Sequence, residues 1–583
     1  MSSTRLLLPN SYIPAVIIVT VMALVLGYLV AQHAYPRPLP GIPYNKTATN
    51  RFFGDIPEIS EFERKGGSFR TWFLAQAARH NSAITQVFLG PLSKPAIVVS
   101  DYREVNDILH RDAVDFKRGL KVDAFQGLLP HAFPAMETLD PRFKSSRDLA
   151  RDLMTPSFLH HVNAPRIYEV TCHLLELWEL KSQLAAGWPF DLAPDIIEFS
   201  FDAILSAAIG LESGSGDTKR RYEELTEHLD QNDSNLRVGG DTSPYINFRR
   251  APESVKVAAL RIEEDSLRLS FVMPWPKLYH LINNLRPSVR AARRTMREYI
   301  ASQIDHTVRM LEAGREPQSA LDFVIQREVR AATKEGRAPL LADPRILEPV
   351  YGYLIAGHDT SSGSLLWLIR RMVDHPSEQD RLRASLRTTY NAAWHDRRLP
   401  SVGELVKQHC AYLDAFIEET LRIDTPVPNI MVMTRCNTTI LGQAVPANTR
   451  VFLNLTGPSL TRASVPIAEA QRGSYTRPAV ARETWDELAP EEFWPGRWLK
   501  EDAARGKAVF DAGAGPTLSF SAGNRGCWGK RLGYLELRIA LALMVWSFEF
   551  VEFAKLANWT DTIDSLVTAP RRCIVRVKGV SYE

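Results

Sequence analysis

The sequence contains few cysteines, and they form no recognisable set. Its five cysteines are odd in number and widely scattered over 583 residues, which excludes a disulfide framework. No CxxC pair suggests a zinc or thioredoxin-like site, and no GxGxxG or GxxxxGK[ST] loop suggests a phosphate-binding site. Cysteines of this kind fit a reducing compartment, and most are expected to be small buried hydrophobic residues.

A strong charge of either sign is also missing. The formal net charge is only +3, so the composition does not indicate a nucleic-acid partner. With 45% hydrophobic and 23% charged residues, the chain has the composition of a globular protein. No repeat or second linker interrupts residues 51–583, which carry many helical patterns and short β-like runs at 84–90, 96–100, 438–446 and 449–455. We therefore expect one body, mainly α-helical with small β-sheets.

The N-terminal region differs from this globular pattern. Residues 12–31 carry no charge, and about 20 apolar residues can cross the ~30 Å hydrocarbon core of a membrane. The pattern predicts a tail at 1–11, a transmembrane anchor at 12–31 and a stiff, proline-rich hinge at 32–50. A cleaved signal peptide is the alternative, but its apolar region is usually only about 7–15 residues long. Basic residues after the span slightly favour a cytoplasmic body.

An apolar pattern from Pro344 to the residue before Pro376 predicts a long buried helix. Its middle, residues 357–361, is unusual because it places a glycine, an acid and two hydroxyl groups in the core. A hydroxyl that bonds a carbonyl one turn back can open the helix at such a point. On these residues alone, a local kink without function explains the pattern as well as a site does.

Two further patterns are weak when they are taken separately. Glu419 and Arg422 lie one turn apart on an amphipathic helix, where such a pair normally contributes about 0.2–0.5 kcal/mol at the surface. Arg497 stands between Trp494 and Trp498, where a planar guanidinium can be packed and hydrogen-bonded by several partners. Neither pattern indicates a site by itself.

The stretch FSAGNRGCWG, residues 520–529, sets a single cysteine among three glycines directly before a helical pattern. Three glycines around Cys527 allow tight turns and the close approach of a flat ligand. A helical pattern starts at Lys530, so Cys527 precedes a helix N-terminus, where the dipole and free N–H groups stabilise a thiolate. A lone thiolate in such a loop suits a soft metal whose other ligands come from a cofactor.

Taken together, these motifs resemble those of the cytochrome P450 family. The cysteine loop matches the family's haem-binding signature in full, with Phe520, Gly523, Arg525, Cys527 and Gly529 at the signature positions. The preceding motifs are similar to the family's in order and spacing: Ala356-Gly357-x-Asp359-Thr360, Glu419-x-x-Arg422 and Phe493-x-Pro495-x-Arg497. The anchor and hinge resemble those of endoplasmic-reticulum members. The resemblance implies a cytochrome P450 fold preceded by one transmembrane helix.

For the cysteine side of the site, the resemblance implies a haem b cofactor. Cys527 would be the axial thiolate ligand of its iron, Phe520 would pack nearby, and Arg525 would bind a haem propionate. Gly523 and Gly529 would shape the loop for the flat cofactor. A buried ion network would brace the loop; its members would be Glu419, Arg422 and Arg497.

For the opposite side, the resemblance implies proton delivery and a substrate pocket. Asp359 and Thr360 would open a notch in the long helix and, with water, pass protons to oxygen as it is reduced. The expected pocket walls belong to this helix and to the segment after the Glu419 helix. They are Tyr353, Leu354, Ala356, Val427, Ile430 and Met431.

The chain departs from the family pattern in two places. Counting back from Pro156, Arg147 occupies the usual tryptophan position, and Arg151 keeps the position of the propionate-binding arginine. Arg435 falls where a strand arginine would meet the other propionate. The second departure is a segment at 457–483 that is longer than expected and that we interpret as a surface insertion without a catalytic role.

The resemblance also implies partners. O2 would be the oxidant, and electrons would come from NADPH through a separate flavoprotein reductase, because the chain has no flavin or nicotinamide motif. Lys530, Arg531 and Arg538 lie beside the cysteine, where a basic patch would steer an acidic reductase surface. A solvated helix face is an equally good interpretation of these three residues. Membrane lipid is a further expected partner, and nucleic acid is not.

The function expected from these patterns is a monooxygenase that inserts one oxygen atom from O2 into a lipophilic small molecule. The chain resembles family members of fungal secondary metabolism. We expect it to lie in the endoplasmic-reticulum membrane, with a single membrane span and the body facing the cytoplasm. One alternative is a haem-thiolate isomerase or dehydratase that needs no reductase, and another is a non-catalytic membrane haem-binding protein. Asp359 and Thr360 favour the monooxygenase, because only that activity needs proton delivery to reduced oxygen.

Overall fold

The computed structural model describes most of the chain. The described residues are 17–22, 24–25, 27–28, 35–91, 94–211, 214–230, 245–250, 252–472, 489–502, 506–552, 562–564 and 567–582. The predicted tail at 1–11 and about half of the predicted anchor at 12–31 lie outside these ranges, and the described part of the anchor is helical and exposed. Within these ranges, no helix combines the length and apolarity that a membrane crossing requires. The anchor therefore stays a prediction.

Helices make up most of the body, so the expected mainly α-helical class with small sheets is confirmed. In chain order the helices are α1 (Ile56–Arg64), α2 (Phe69–His80), α3 (Tyr102–His110), α4 (Leu120–Gln126), α5 (Pro141–Leu149), α6 (Pro156–Phe158), α7 (Ala164–Ala185), α8 (Ala193–Ala208), α9 (Asp217–Asp230), α10 (Val255–Val272), α11 (Pro276–Asn283), α12 (Pro287–Glu312), α13 (Ala320–Glu335), α14 (Pro344–Asp374), α15 (Pro376–Thr389), α16 (Asn391–His395), α17 (Val402–Lys407), α18 (Ala411–Ile423) and α19 (Lys530–Ser547).

The strands are short and form small sheets. They are β1 (Ile84–Val87), β2 (Ala96–Val99), β3 (Phe116–Lys117), β4 (Phe190–Asp191), β5 (Asn429–Thr434), β6 (Thr438–Ile440), β7 (Gln443–Val445), β8 (Arg450–Asn454), β9 (Leu499–Asp502), β10 (Lys507–Phe510), β11 (Phe548–Val551), β12 (Thr562–Asp564), β13 (Thr568–Pro570) and β14 (Ile574–Gly579). One five-stranded sheet has the order β1-β2-β8-β5-β3, in which β2 and β8 run parallel, with Ile97 opposite Val451, and the other neighbours run antiparallel. A three-stranded sheet has the order β11-β14-β4.

The long helix predicted between Pro344 and Pro376 is α14. Asp343 caps its N-terminus by accepting the Arg345 N–H, and Pro344 occupies the first turn, where no backbone donor is lost. The main hydrophobic core surrounds α14 and includes residues of α7, α8 and α19. At Gly357, α14 and α8 approach so closely that a Cβ would lie 2.5 Å from Ile204 Cδ1. A larger residue would require the Ile204 side chain to shift, so this crossing favours a glycine.

The hinge predicted at 32–50 is docked on the body over much of its length. The Gln86 side chain accepts the Leu39 N–H at 2.8 Å and donates to the carbonyls of Leu39 and Ile42 at 2.9 and 2.6 Å. Ile42 is buried, and Asn45 donates to Asp55 at 2.8 Å. Packing against β1 thus makes residues 39–50 part of the body, and a free spacer of the predicted length is excluded.

Candidate active site

A cavity of ≈ 360 Å³ lies between α14, the cysteine loop and the start of β5. Cys527 and Phe520 line it from the loop, and Thr360 lines it from α14. Most of its remaining wall is apolar or aromatic, including Phe125, Ala132, Phe133, Pro349, Leu455 and Trp528. The structure therefore brings the two halves of the predicted site to one apolar cavity.

Backbone hydrogen bonds fold the loop around Cys527. The Cys527 N–H donates to the Phe520 carbonyl at 2.8 Å, and the Gly526 N–H donates to the Gly523 carbonyl at 3.1 Å. Gly523 has a positive φ of 67°, and a Cβ there would overlap the carbonyl oxygen of Leu109 at the end of α3. Gly529 leaves open the space in front of the cysteine, because a Cβ there would lie 4.0 Å from Cys527 Sγ. Both glycines thus fit the roles expected of them.

The Cys527 side chain is exposed, and it lines the cavity. Desolvation by the surrounding protein raises the pKa of the thiol above its ordinary value. The Gly529 N–H and the charges of Lys121 and Lys530 offset part of this rise. Phe520 packs beside the loop, with its ring centroid 4.9 Å from that of Tyr534. Tyr534 in turn donates a hydrogen bond to Glu418 of α18, so the loop is fastened to a buried helix.

The three charged residues predicted to form a network are in contact and fully buried. Glu419 accepts hydrogen bonds from Arg422 at 2.8 Å through both oxygens, and Arg497 Nε donates to it at 3.0 Å. The indole N–H of Trp498 and the backbone N–H of Trp494 also donate to it, each at 2.9 Å. Every acceptor position of this carboxylate is used, as a buried charge requires.

The network is linked to chain segments that precede the cysteine loop. Arg422 Nη1 donates to the carbonyls of Leu460 and Pro490, each at 2.6 Å. Ser519, directly before Phe520, donates to the carbonyl of Leu421 at 2.8 Å. The contacts therefore connect α18 to the cysteine loop and to the segment before it.

Of the two residues predicted for proton delivery, only Thr360 lines the cavity. Its hydroxyl donates to the carbonyls of Ala356 and Gly357 at 3.1 and 3.3 Å, and residues 356–361 remain α-helical. The notch expected here is therefore not a break in the helix. The carboxylate of Asp359 is instead paired with His358, whose Nε2 lies 3.1 Å from its Oδ1.

Two basic residues that the sequence analysis missed line the cavity beside Arg525 and Arg147. They are Arg118, which follows β3, and Lys121 of α4. Burial, together with the charges of Arg118 and Arg525, lowers the pKa of Lys121 to about 8. Both lie in 116–139, a stretch of short elements and loops whose course could not be derived from the sequence. The cluster of four cations makes this end of the cavity suitable for carboxylate groups.

The predicted arginines occupy different environments. Arg147 of α5 lines the cavity and donates to the Asn524 carbonyl at 2.8 Å, while Arg525 donates to Thr138 at 2.8 Å and to carbonyls at 133 and 136. Arg151 is exposed and does not line the cavity, because α5 ends at Leu149. In the described structure, Nε and Nη2 of Arg435 are buried without a hydrogen-bond partner.

The predicted substrate walls divide into two groups. Tyr353, Ala356, Val427 and Ile430 line the cavity, whereas Leu354 and Met431 do not. Leu354 is fully buried because it points from another face of α14 into the main core. Met431 follows Ile430 on β5, and successive strand residues face opposite sides of the sheet. Those two assignments are wrong.

Glu536 is a further cavity residue that the sequence analysis missed. It lies on α19 and accepts hydrogen bonds from Ser361 of α14 at 2.6 Å and from Ser200 of α8 at 3.2 Å. Burial raises the pKa of this carboxyl group to about 7. The only sequence signal is an acid within the apolar face of a helix, which by itself does not distinguish a site from a buried hydrogen bond.

The residues present fit a haem group. One soft sulfur ligand faces the cavity, and the glycines around it leave room for a flat ring. The cationic cluster can bind propionates, whereas Arg435, whose Nε and Nη2 lack a partner in the described structure, does not line the cavity. The helical fold and this site together define the class of haem-thiolate proteins.

Comparisons with known proteins identify the family. The cytochrome P450 profile matches residues 52–460 and 482–576. Cytochrome P450 monooxygenase TRI13 of Fusarium sporotrichioides is 30% identical over 95% of this chain and 97% of its own length. Cytochrome P450 monooxygenase xilC of Penicillium rubens is 28% identical over 91% of this chain and 90% of its own.

A solved structure shares the fold of this chain. A crystal structure of a cytochrome P450, CYP102L1, superposes with a TM-score of 0.65 and 17% identity, covering 94% of this chain and all of that one. The chain therefore belongs to the cytochrome P450 family, and it is a cytochrome P450 monooxygenase. The profile leaves 461–481 unmatched, which agrees with the insertion predicted at 457–483.

Proposed function

We propose that the protein inserts one oxygen atom from O2 into a lipophilic small molecule of fungal secondary metabolism. The observation that carries this proposal is the cavity, which joins the Cys527 sulfur and the Thr360 hydroxyl within mostly apolar walls. Such walls favour a lipophilic substrate, since they offer it few hydrogen bonds. The fungal cytochrome P450 relatives support the biosynthetic setting.

Bound haem would supply the activation of O2, and the protein residues would hold and orient the reactants. Cys527 would ligate the iron, while Arg118, Lys121 and Arg147 would neutralise the propionates. Tyr353 and Ile430 would press the substrate towards the cysteine loop and exclude water. Thr360 would hold a proton donor at the cavity wall by hydrogen bonding.

Electrons are proposed to come from NADPH through a separate flavoprotein reductase. Lys530 and Arg531 are exposed at the start of α19, next to the cysteine loop, and can meet an acidic surface. Arg538 contributes less, because it is paired with Asp414 of α18. We therefore propose that Lys530 and Arg531 form the centre of the surface on which the reductase docks.

The body is proposed to lie on the cytoplasmic face of the endoplasmic-reticulum membrane. Asn45 of the sequon Asn45-Lys46-Thr47 is buried and also contacts His80, so a glycan there would disrupt the docked hinge. An apolar patch around α11 supports contact with lipid. Its exposed residues are Trp275, Leu278, Leu281, Ile282 and Leu285.

The carbon-monoxide difference spectrum of the dithionite-reduced protein tests the ligand on which the proposal depends. The wild type should show a strongly red-shifted Soret band, and Cys527→Ala should lack it. Cys436→Ala, which removes an exposed cysteine outside the cavity lining, should retain the band. A normal band in Cys527→Ala would exclude this cysteine as the ligand. Turnover that requires NADPH and a reductase would then separate a monooxygenase from an isomerase or a haem-binding protein.

A further inference from the structure

An imidazole ring is held between two carboxylates beside the cavity. His358 Nδ1 lies 3.1 Å from Glu264 Oε1 of α10, and His358 Nε2 lies 3.1 Å from Asp359 Oδ1. The ring is almost fully buried and packs on Phe201 of α8, with centroids 4.5 Å apart. Ser200 of α8 donates to the His358 carbonyl at 2.9 Å. The orientation of the ring is thus fixed by three helices.

The surrounding charges favour the imidazolium form of His358. The titratable groups that face it are Glu264 of α10, Asp359 of its own helix and, further away, Glu536 of α19. Arg261 and Arg268 of α10 also act on Asp359, but each is paired with another acid. A neutral ring would deprive both carboxylates of their nearest countercharge, and Glu264 is buried. The two acids raise the pKa of His358 to about 10 despite its burial.

This arrangement determines where Asp359 points. Its side chain is 28% exposed, so water can reach the carboxylate, and the next residue, Thr360, lines the cavity. The His358 ring thus fixes the Asp359 carboxylate where water can reach it, one residue before the cavity-lining Thr360. It also lowers the pKa of Asp359 and keeps the acid ionised.

We propose that Glu264 and His358 are positioning residues for Asp359, and that they couple the placement of α10 over α14 to proton delivery at Thr360. The proposal rests on the proton-delivery role assigned above to Asp359 and Thr360. Glu264 acts by keeping His358 charged, and His358 acts by orienting the Asp359 carboxylate. Movement of α10 away from α14 would release both contacts.

The charge of His358 can be measured without turnover. ¹⁵N NMR of histidine-labelled, haem-loaded protein should show one imidazolium that persists from pH 7 to pH 9 and disappears in His358→Gln. In Glu264→Gln this signal should change to the neutral form within that range. A neutral His358 at pH 7 in the wild type would overturn the proposal, whatever reaction the enzyme performs.

Peroxide released per NADPH consumed, measured with a reductase, tests the effect on proton delivery. In Glu264→Gln this ratio should rise at least about twofold from pH 7 to 9, because one pH unit above its pKa the imidazole is ~90% neutral. The matched control is Glu263→Gln, an adjacent buried acid that also joins α10 to α14, through Tyr351. Its ratio, like that of the wild type, should stay flat.

A double substitution separates positioning from general damage to the fold. Asp359→Asn and His358→Gln should each raise the peroxide ratio several-fold, and the double variant should resemble Asp359→Asn alone. Additive effects, or a Glu264→Gln pH profile identical to that of Glu263→Gln, would overturn the proposal. Wild-type protein that consumes no NADPH would contradict the proposed function and leave the NMR result valid.

Discussion

At the scale of single residues, two side chains on α14 show how position within one helix separates roles. Thr360 and Ser364 both line the cavity, and each hydroxyl donates to a carbonyl one turn back, at 3.1 and 2.7 Å. Only Thr360 is the direct chain neighbour of Asp359. Two hydroxyl groups with similar local bonding are thus expected to differ in function.

Thr360→Ala should therefore keep its haem but waste electrons. We expect a several-fold larger share of the NADPH electrons to leave as peroxide, because the proton donor at the cavity wall is lost. The measurement is peroxide formed per NADPH consumed with reductase and substrate. Thr360→Ser should restore coupling and Ser364→Ala should leave it unchanged; wild-type coupling in Thr360→Ala would disprove the assignment.

Gly523→Ala should lower the yield of haem-loaded protein. The added Cβ would overlap the Leu109 carbonyl and would also occupy a backbone conformation that disfavours side chains. Gly314→Ala is the matched control, since Gly314 has a similar φ of 71° with no atom within 4 Å of a Cβ. Haem content per folded protein should fall clearly in Gly523→Ala and stay unchanged in Gly314→Ala. Equal losses would mean that backbone strain, and not close approach, determines the effect.

The role of a single residue can be predicted from the sequence when its neighbours in the chain carry the motif that identifies it. Cys527 and Gly523 could be assigned because their neighbours in the chain carry the motif. Lys121, His358 and Glu536 could not, since each acquires its role from residues far away in sequence, such as Arg525 for Lys121 and Glu264 for His358. Arg151 fails for a local reason, because a count of positions does not reveal that α5 ends at Leu149.

At the scale of secondary-structure elements, the network around Glu419 joins α18 to two loops. The same carboxylate that pairs with Arg422 in its own helix also receives Arg497 and two tryptophan N–H groups. Removing it leaves two buried guanidinium groups without their countercharge. The packing of three segments then depends on one side chain.

Glu419→Ala should destabilise the protein by roughly 3–5 kcal/mol and reduce haem content, because a broken buried ion pair leaves uncompensated charge. Denaturant unfolding of detergent-solubilised protein measures this loss. The control is Glu61→Ala on α1, which removes an exposed pair with Lys65 and should cost about 0–1 kcal/mol. Normal stability and haem content in Glu419→Ala would argue against the bracing role.

The elements themselves were predictable to different degrees. The limits of α14 could be derived, because prolines and an apolar pattern mark them on both sides. Which face of the helix meets the cavity could not be derived. Tyr353 and Leu354 are neighbours, yet only Tyr353 faces the cavity. Which side of a fully apolar helix meets a cavity depends on the helices packed around it, and those contacts are not local in sequence.

At the scale of the whole molecule, the limits of the folded body extend further towards the N-terminus than the composition suggests. Residues 39–50 resemble a free linker because of their prolines, but the Gln86 side chain fixes them against β1. Long-range pairing of this kind leaves no local signal. The body should therefore tolerate truncation only upstream of Leu39.

Two truncations test this limit. Deleting 1–34 should give a body with wild-type haem content and thermal midpoint in detergent. Deleting 1–50 should lower the midpoint by several degrees, since it removes the buried Ile42, the partners of the Gln86 side chain and the Asn45 bond to Asp55. Equal midpoints for the two proteins would show that residues 35–50 do not contribute to the stability of the body.

The double contact of Arg422 with Leu460 and Pro490 has a consequence for the evolution of the chain. One guanidinium binds both carbonyls, so the chain that joins Leu460 to Pro490 has its two ends held close together. Lengthening such a loop costs only about 0.6 kcal/mol per doubling, because closure entropy grows with the logarithm of length. Residues can therefore be gained or lost here without strain on the cysteine loop, and the same site is suited to carry an inserted epitope.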